Sequence, residues 1–386
     1  MQNIPRFRLS AFYFAYLAGL GAFSPYFALY LDDRGLSAVA ISVAMSLWYG
    51  TRIVSPTVWG QLTLHSARPI LWLRIGALAT LVTFLGFFLP LGIAGVLAVM
   101  AVFAFFYNAI MPQFEAITLS HLAGRTQLYS RLRLWGSVGF ILVVASLGPV
   151  LDRIGVAWLP WIMVPLFAGI VAAAYANDYG EAPAAATERA PLVSTLKRAG
   201  VPVFLGIAFA MQVAHGPYYV FFSLFLDKTG YPASWVGTFW TIGVLAEIVV
   251  FWFAGSLLTR VGAASLLKLC LAVAALRFAV TAYFPDVLPV MVLAQVAHAF
   301  TFGVFHAACM QRVVELFPSP LIGQGQGLLY GLGSGLGGVA GSLLAGWAWE
   351  LGGGRAAFLA AALAAAVGFA FAVHADRGRK AASTLA

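Results

Sequence analysis

Long apolar runs, broken only by short polar connections, make up almost the whole of this chain. Twelve of them are read from hydropathy: 10–31, 38–62, 70–90, 95–119, 132–151, 155–176, 201–226, 233–258, 263–284, 287–312, 321–348 and 354–374. A helix that crosses a bilayer needs roughly 20 apolar residues, and each run has about that length. No single globular core hides so much apolar surface. The chain is 62% hydrophobic and 9% charged, against about 25% charged in a soluble domain. Lipid must be the solvent for most of it, and in lipid only helices or closed barrels satisfy their own backbone groups. Runs of this length predict helices, so the expected fold is an all-α membrane protein.

One break divides the runs six and six. Residues 177–200 hold Glu181, Pro183, Glu188, Arg189, Pro191, Lys197 and Arg198. The sequence therefore predicts an N-terminal six-helix bundle over 1–176, a linker over 177–200, a second bundle over 201–376 and a tail over 377–386. Basic residues set the orientation. With the N-terminus in the cytoplasm, sixteen lysines and arginines fall inside, and Arg34, Arg153, Lys228 and Arg355 fall outside. That asymmetry predicts an inner-membrane protein with the linker and both termini cytoplasmic. The first run, Ser10 to Leu31, has full spanning length and no small-residue cleavage site after it, so it is read as a retained span.

The halves repeat at one offset of 195 residues. Leu31-Asp32 with Gly35 matches Leu226-Asp227 with Gly230, Gly60-x-Leu62 matches Gly255-x-Leu257, and Leu134-Trp135-Gly136 matches Leu329-Tyr330-Gly331. Three matches in one register argue for duplication. Six spans per half preserve the repeat's direction, giving parallel repeats about an axis along the membrane normal, as in the major facilitator fold. The eleventh run holds nine glycines between Gly325 and Gly346. So bare a helix lies close against its neighbours, and the two readings are tight packing alone and a moving gate.

Charges at lipid depth are costly, on the order of 2.5–3.5 kcal/mol each, and face a cavity or a partner. The spans contain few: Arg52, Glu115, Glu247, Arg277 and His298, with Arg133 at the start of the fifth and His215 and His306 as further candidates. Glu115 and Arg133 lie on consecutive antiparallel spans and are read as the substrate site. Arg52 and Glu247 occupy equivalent positions in the two halves. Aromatic residues crowd the first and seventh spans, and Tyr26 and Tyr218 follow Pro25 and Pro217, where a proline-freed carbonyl suits a cavity wall. Cys270 and Cys309 make no disulfide framework or metal spacing. The formal charge of +9 lies in short loops, which fits the inside-positive bias and not nucleic-acid binding. No nucleophile–base pair, nucleotide loop or metal cluster is visible, so neither an enzyme nor a cofactor is expected.

The stretch Met111-Pro112-Gln113-Phe114-Glu115-Ala116, with Tyr129-Ser130-Arg131-Leu132-Arg133-Leu134-Trp135-Gly136-Ser137-Val138-Gly139-Phe140, resembles the phenylpropionate-transporter-like branch of the major facilitator superfamily. It is also similar to the lactose permease and nucleoside symporter branches. The resemblance implies two six-helix bundles, with substrate bound by Glu115 and Arg133 and coupling residues at Arg277 and His298. Phe140 stands where the permease pattern stacks its sugar on tryptophan, and Thr301 where it carries its proton on glutamate. Galactoside is therefore not the expected substrate, and Glu247 becomes the candidate proton carrier. The loop motif after Gly60 keeps only Arg68 of its charges.

The expectation is a monomeric secondary transporter working by alternating access. It would couple protons to a small organic solute, aromatic carboxylates ahead of sugars and nucleosides, with Glu115, Arg133, Phe140, Tyr26 and Tyr218 at the solute and Glu247, Arg277 and His298 in coupling. Proton-driven efflux of amphipathic drugs is the alternative.

Overall fold

A computed structural model describes residues 4–122, 127–180, 192–197 and 200–384. The helices of the first half are α1 Arg6–Asp33, α2 Ala38–Leu64, α3 Pro69–Phe84, α4 Ile93–Leu122, α5 Gln127–Ile154 and α6 Leu159–Tyr175. A short α7, Leu192–Leu196, precedes α8 Gly200–Thr229, α9 Ala233–Val261 and α10 Ala263–Tyr283. Two π-helical turns then interrupt the chain. Ala299–Val304 joins α11 Leu288–Val296 to α12 Phe305–Leu316, and Leu329–Leu336 joins α13 Ile322–Leu328 to α14 Gly337–Thr384. Parts of the predicted linker, 181–191 and 198–199, lie outside the described residues. The expected tail is largely a continuation of α14, which runs through Thr384.

Among the described residues, eleven helical stretches are long and apolar enough to cross a membrane. The last, Ser319–Arg377, has 59 residues, far more than the roughly 20 that one crossing needs. It turns at Gly352 and Gly353, where Gly353 takes φ 63° and ψ −157°, a conformation open in practice only to glycine. Counting either side of that turn gives the twelve spans read from hydropathy. The outward faces are apolar: Trp252, Leu363 and Trp347 are exposed, as lipid-facing side chains must be.

Contacts divide the chain into two compact units, Met1–Ala186 with Gly230–Thr238, and Thr187–Thr229 with Phe239–Ala386. In the first unit, aromatic rings fill much of the core. Phe23 stacks on Trp48 at 4.2 Å, and Phe84 and Phe103 each meet Phe167. The start of α9 joins this unit through α5. The Asp152 carboxylate accepts from the backbone N–H groups of Ala233 (2.7 Å) and Ser234 (3.1 Å). An α-helix begins with orphan N–H groups and partial positive charge, and Asp152 supplies from another helix the cap that Pro232 cannot give.

The second unit is built on a glycine crossing. A Cβ on Gly216 of α8 would run into the backbone of Gly341 in α14, and a Cβ on Gly341 would lie 2.7 Å from the Val213 carbonyl oxygen. Main chain meets main chain, so no flexible side chain can yield. Gly216→Ala is expected to force α8 and α14 apart, lowering stability by about 1–3 kcal/mol. Gly255→Ala, whose Cβ meets nothing within 4 Å, is the control and is expected to keep or slightly raise the melting temperature, since alanine favours a helix interior over glycine. Thermal unfolding of the two purified variants checks this, and equal melting temperatures would contradict the crossing.

Candidate functional site

Two polar clusters stand out, one in each unit. In the first unit, the structure brings Glu115 of α4 and Arg133 of α5 together. Arg133 Nη1 lies 3.5 Å from Glu115 Oε1, with the side chains 53% and 35% exposed. Tyr129, one turn before Arg133 on α5, donates its hydroxyl to Glu115 Oε1 at 3.0 Å and accepts from Arg133 Nη1 at 3.5 Å. Glutamate thus faces one cation and one hydroxyl, while the Arg133 side chain stays about half exposed. An ion pair this exposed contributes little to stability, so holding the fold together is not a sufficient account of it. Arginine's planar fork is suited to a carboxylate.

Phe140 lies further along α5 and is half-buried. Tyr26 is placed differently from the sequence expectation. It is fully buried, and its hydroxyl donates to the Val144 carbonyl at 2.9 Å. It ties α1 to α5 and leaves no open face. Arg52, the repeat partner of Glu247, rests over the rings of Trp48 and Tyr49 and donates from Nε to Asn108 Oδ1 at 3.4 Å. The repeat therefore preserves a polar position and not a chemistry.

The second unit gathers Glu247, Arg277 and His298. His298 Nε2 is 3.0 Å from Glu247 Oε1, and His298 Nδ1 is 3.0 Å from Arg277 Nη1. All three are buried or nearly so; the Glu247 side chain is 13% exposed. Hydrogen-bond chemistry assigns the tautomer. Arginine only donates, so Nδ1 accepts and the ring hydrogen is on Nε2, donated to the carboxylate. Arg277 also donates from Nε to the Ala294 carbonyl (2.8 Å) and from Nη1 to Thr301 Oγ1 (3.0 Å). Its Nη2 is buried without a hydrogen-bond partner, and its guanidinium lies 4.4 Å from the Tyr218 ring centroid. That cation–π contact eases the burial of the charge.

The network continues past Glu247, Arg277 and His298 to His215, a further candidate read from sequence, by way of Thr301. His215 Nδ1 is 2.9 Å from the Met211 carbonyl, and its Nε2 is 3.3 Å from Thr301 Oγ1. A carbonyl only accepts, so His215 carries its hydrogen on Nδ1 and presents Nε2 as an acceptor. The single Thr301 hydrogen is shared between His215 Nε2 and the His298 carbonyl, the latter also at 3.3 Å. Hydrogen bonds therefore run from Glu247 through His298, Arg277 and Thr301 to His215. Tyr218, expected at the solute, is buried and donates to Gln295 Oε1 at 3.0 Å. Thr301, Gln295 and Tyr129 were not singled out by the sequence reading as site residues. Thr301 did carry a signal, three residues after His298 and so on the same helix face.

Comparison with known proteins agrees with this architecture. The sequence model of the MFS_1 like family matches residues 6–360. A relative from Escherichia coli (strain K12), described as a probable 3-phenylpropionic acid transporter, is 26% identical over 80% of this chain and 82% of its own. An uncharacterized transporter of Bacillus subtilis (strain 168), YwbF, is 25% identical over 80% of this chain and 78% of its own. Among solved structures, the nucleoside transporter NupG superposes with TM-score 0.82 at 16% identity, covering 97% of this chain and 99% of NupG. Two bundles of apolar helices, a family match across nearly the whole length and a shared fold lead to one conclusion: the chain belongs to the MFS_1 like family and is a membrane transporter of the major facilitator type.

Proposed function

We propose that this transporter is a proton-coupled symporter of a small organic acid, with an aromatic carboxylate as its first candidate, located in the inner membrane with both termini in the cytoplasm. The observation that carries the coupling is the fixed tautomer of His298. Its Nδ1 faces an arginine donor and its Nε2–H faces Glu247, so a second ring proton would set two donors against each other. Glu247 is left as the group that gains and loses a proton. A carboxylate withdrawn from water is costly when charged, and here the charged form is held by His298 and the nearby Arg277.

Protonation changes a mechanical link. A hydrogen bond to a charged acceptor is roughly twice as strong as one between neutral groups. Adding a proton to Glu247 weakens its hold on His298, and with it the bond between α9 and the segment entering the 299–304 turn. The two protonation states therefore favour different packings of these helices, which is the differential free energy that any coupled conformational change requires. The probable 3-phenylpropionic acid transporter among the relatives supports the solute class, together with the half-exposed Arg133 side chain.

Arg133→Gln is expected to weaken binding of 3-phenylpropionate at least tenfold while the protein still inserts and purifies as a folded species. Glu115→Gln is expected to weaken it less, because Tyr129 still positions the guanidinium. Isothermal titration of the purified variants measures both. Unchanged affinity in Arg133→Gln would remove this residue from solute recognition.

A further inference from the structure

The second unit contains a pocket lined in part by His215 and His306, the two further candidates read from sequence. It has about 490 Å³ of empty space, its open mouth included, between α8, the 299–304 turn with α12, and the 329–336 turn. Its position follows from the helix chemistry. Just beyond it, Gly337 and Gly341 press α14 onto α8; a Cβ on Gly337 would lie 2.9 Å from Gln212 Cβ. Before that crossing, the chain passes through the second π-helical turn and leaves a gap against α8. Both π-helical turns of the second unit thus border one cavity, and such turns occur frequently at functional sites.

The lining is aromatic and hydrogen-bonding, and among the described residues it includes no carboxylate, lysine or arginine. Phe302 and His306 stack nearly parallel at 6.5 Å and 13°, and His306 continues to Tyr330 at 6.4 Å. These rings form a ladder along one wall. Gln212 and Ser334 bring neutral polar side chains, as does Thr301, the member of the Glu247 network that shares its hydrogen with His215. Flat apolar faces with a few neutral donors and acceptors select an uncharged ring, and the polar groups reward hydroxyls on its edge.

We infer that this pocket is a recognition subsite for the uncharged, hydroxyl-bearing ring of the transported solute, and that Phe302, His306, Tyr330, Gln212 and Ser334 determine specificity there. The inference rests on the transport reading for its solute. It adds that a ring held in this pocket touches the wall where the network from Glu247 ends, at Thr301 and His215. Ring occupancy and the charge on Glu247 then act on one connected set of hydrogen bonds.

Cys309 lines the pocket, and Cys270 is the only other cysteine, so a Cys270→Ala background leaves one reporting thiol. The full chain in lipid nanodiscs is labelled with N-ethylmaleimide, with and without 3-phenylpropionate, 3-(3-hydroxyphenyl)propionate and uridine, while calorimetry reports whether each probe is bound. A bound hydroxylated ring is expected to slow Cys309 labelling at least tenfold and to bind at least fivefold tighter than its unhydroxylated counterpart. Gln212→Leu is expected to erase that fivefold preference and leave 3-phenylpropionate binding within twofold. A probe that binds without protecting Cys309 overturns the pocket, and absence of binding by all three overturns the ring class. Should the thiol react too slowly to read, Ser334→Trp fills the same space; undiminished probe affinity in that variant overturns the subsite. Protection of Cys309 without any solute-driven proton movement would leave the subsite standing and remove the coupling reading instead.

Discussion

Glu247→Gln is expected to abolish accumulation of solute against its gradient while exchange of solute for solute continues. Glutamine keeps the size of the side chain and an oxygen that accepts from His298 Nε2–H, now at 3.0 Å from Glu247 Oε1, so the packing of α9 survives. What disappears is the second charge state. With one state only, protonation no longer alters the bond to His298, and solute movement is released from the proton gradient. In proteoliposomes loaded with unlabelled 3-phenylpropionate, counterflow of the labelled compound is expected to stay within a few-fold of the parent protein. Uptake driven by an imposed pH gradient is expected to fall at least tenfold. Gradient-driven uptake retained at full size in this variant would show that Glu247 is not the carrier.

Arg277→Leu is expected to cost more in stability than any other single change in the second unit. The guanidinium serves the Ala294 carbonyl, His298 Nδ1 and Thr301 Oγ1 together. Its removal leaves these acceptors without a donor and Glu247 without its neighbouring cation. Deleting one partner of a buried charged set typically costs about 3–5 kcal/mol, whereas replacing both by apolar groups is often nearly neutral. The double variant Arg277→Leu with Glu247→Leu is therefore expected to recover a large part of the loss. Arg277→Lys keeps the charge and forfeits the fork, and is expected to fall between. Thermal unfolding in detergent measures all three. Equal melting temperatures for Arg277→Leu and the double variant would show that the two charges are not energetically joined.

The spans were legible because solvent demands them: about 20 apolar residues in a row have no other stable use. The turn in the last long helix was also legible as the gap between runs 321–348 and 354–374, although the chain there stays helical on both sides of Gly352 and Gly353. Glu115, Arg133, Glu247, Arg277 and His298 were visible as charges too costly to face lipid, and the structure gathers them into two clusters. Direction was not legible. Tyr26 and Tyr218 lie on helices apolar all round, where periodicity assigns no inward face, and both turned out to spend their hydroxyls inside the protein. The glycines of the eleventh run marked 329–336 as a closely packed segment but not as a π-helical turn, and 299–304 carried no such mark, because a π-helical turn differs from an α-helical one by a single residue. The pocket they border was hidden for the same reason, although His215 and His306 of its lining were read as candidates. Asp152 looked like any solvated loop acid, since the helix start that it caps lies 81 residues away in sequence.

Solute-driven proton movement in the unmodified protein tests the central claim most directly. Proteoliposomes in weak buffer receive 3-phenylpropionate, and the pH outside is followed against protein-free vesicles of the same lipid. Symport predicts alkalinisation of the medium above that baseline, in proportion to labelled solute taken up. Labelled solute entering through the protein with no pH change beyond the baseline would contradict proton coupling.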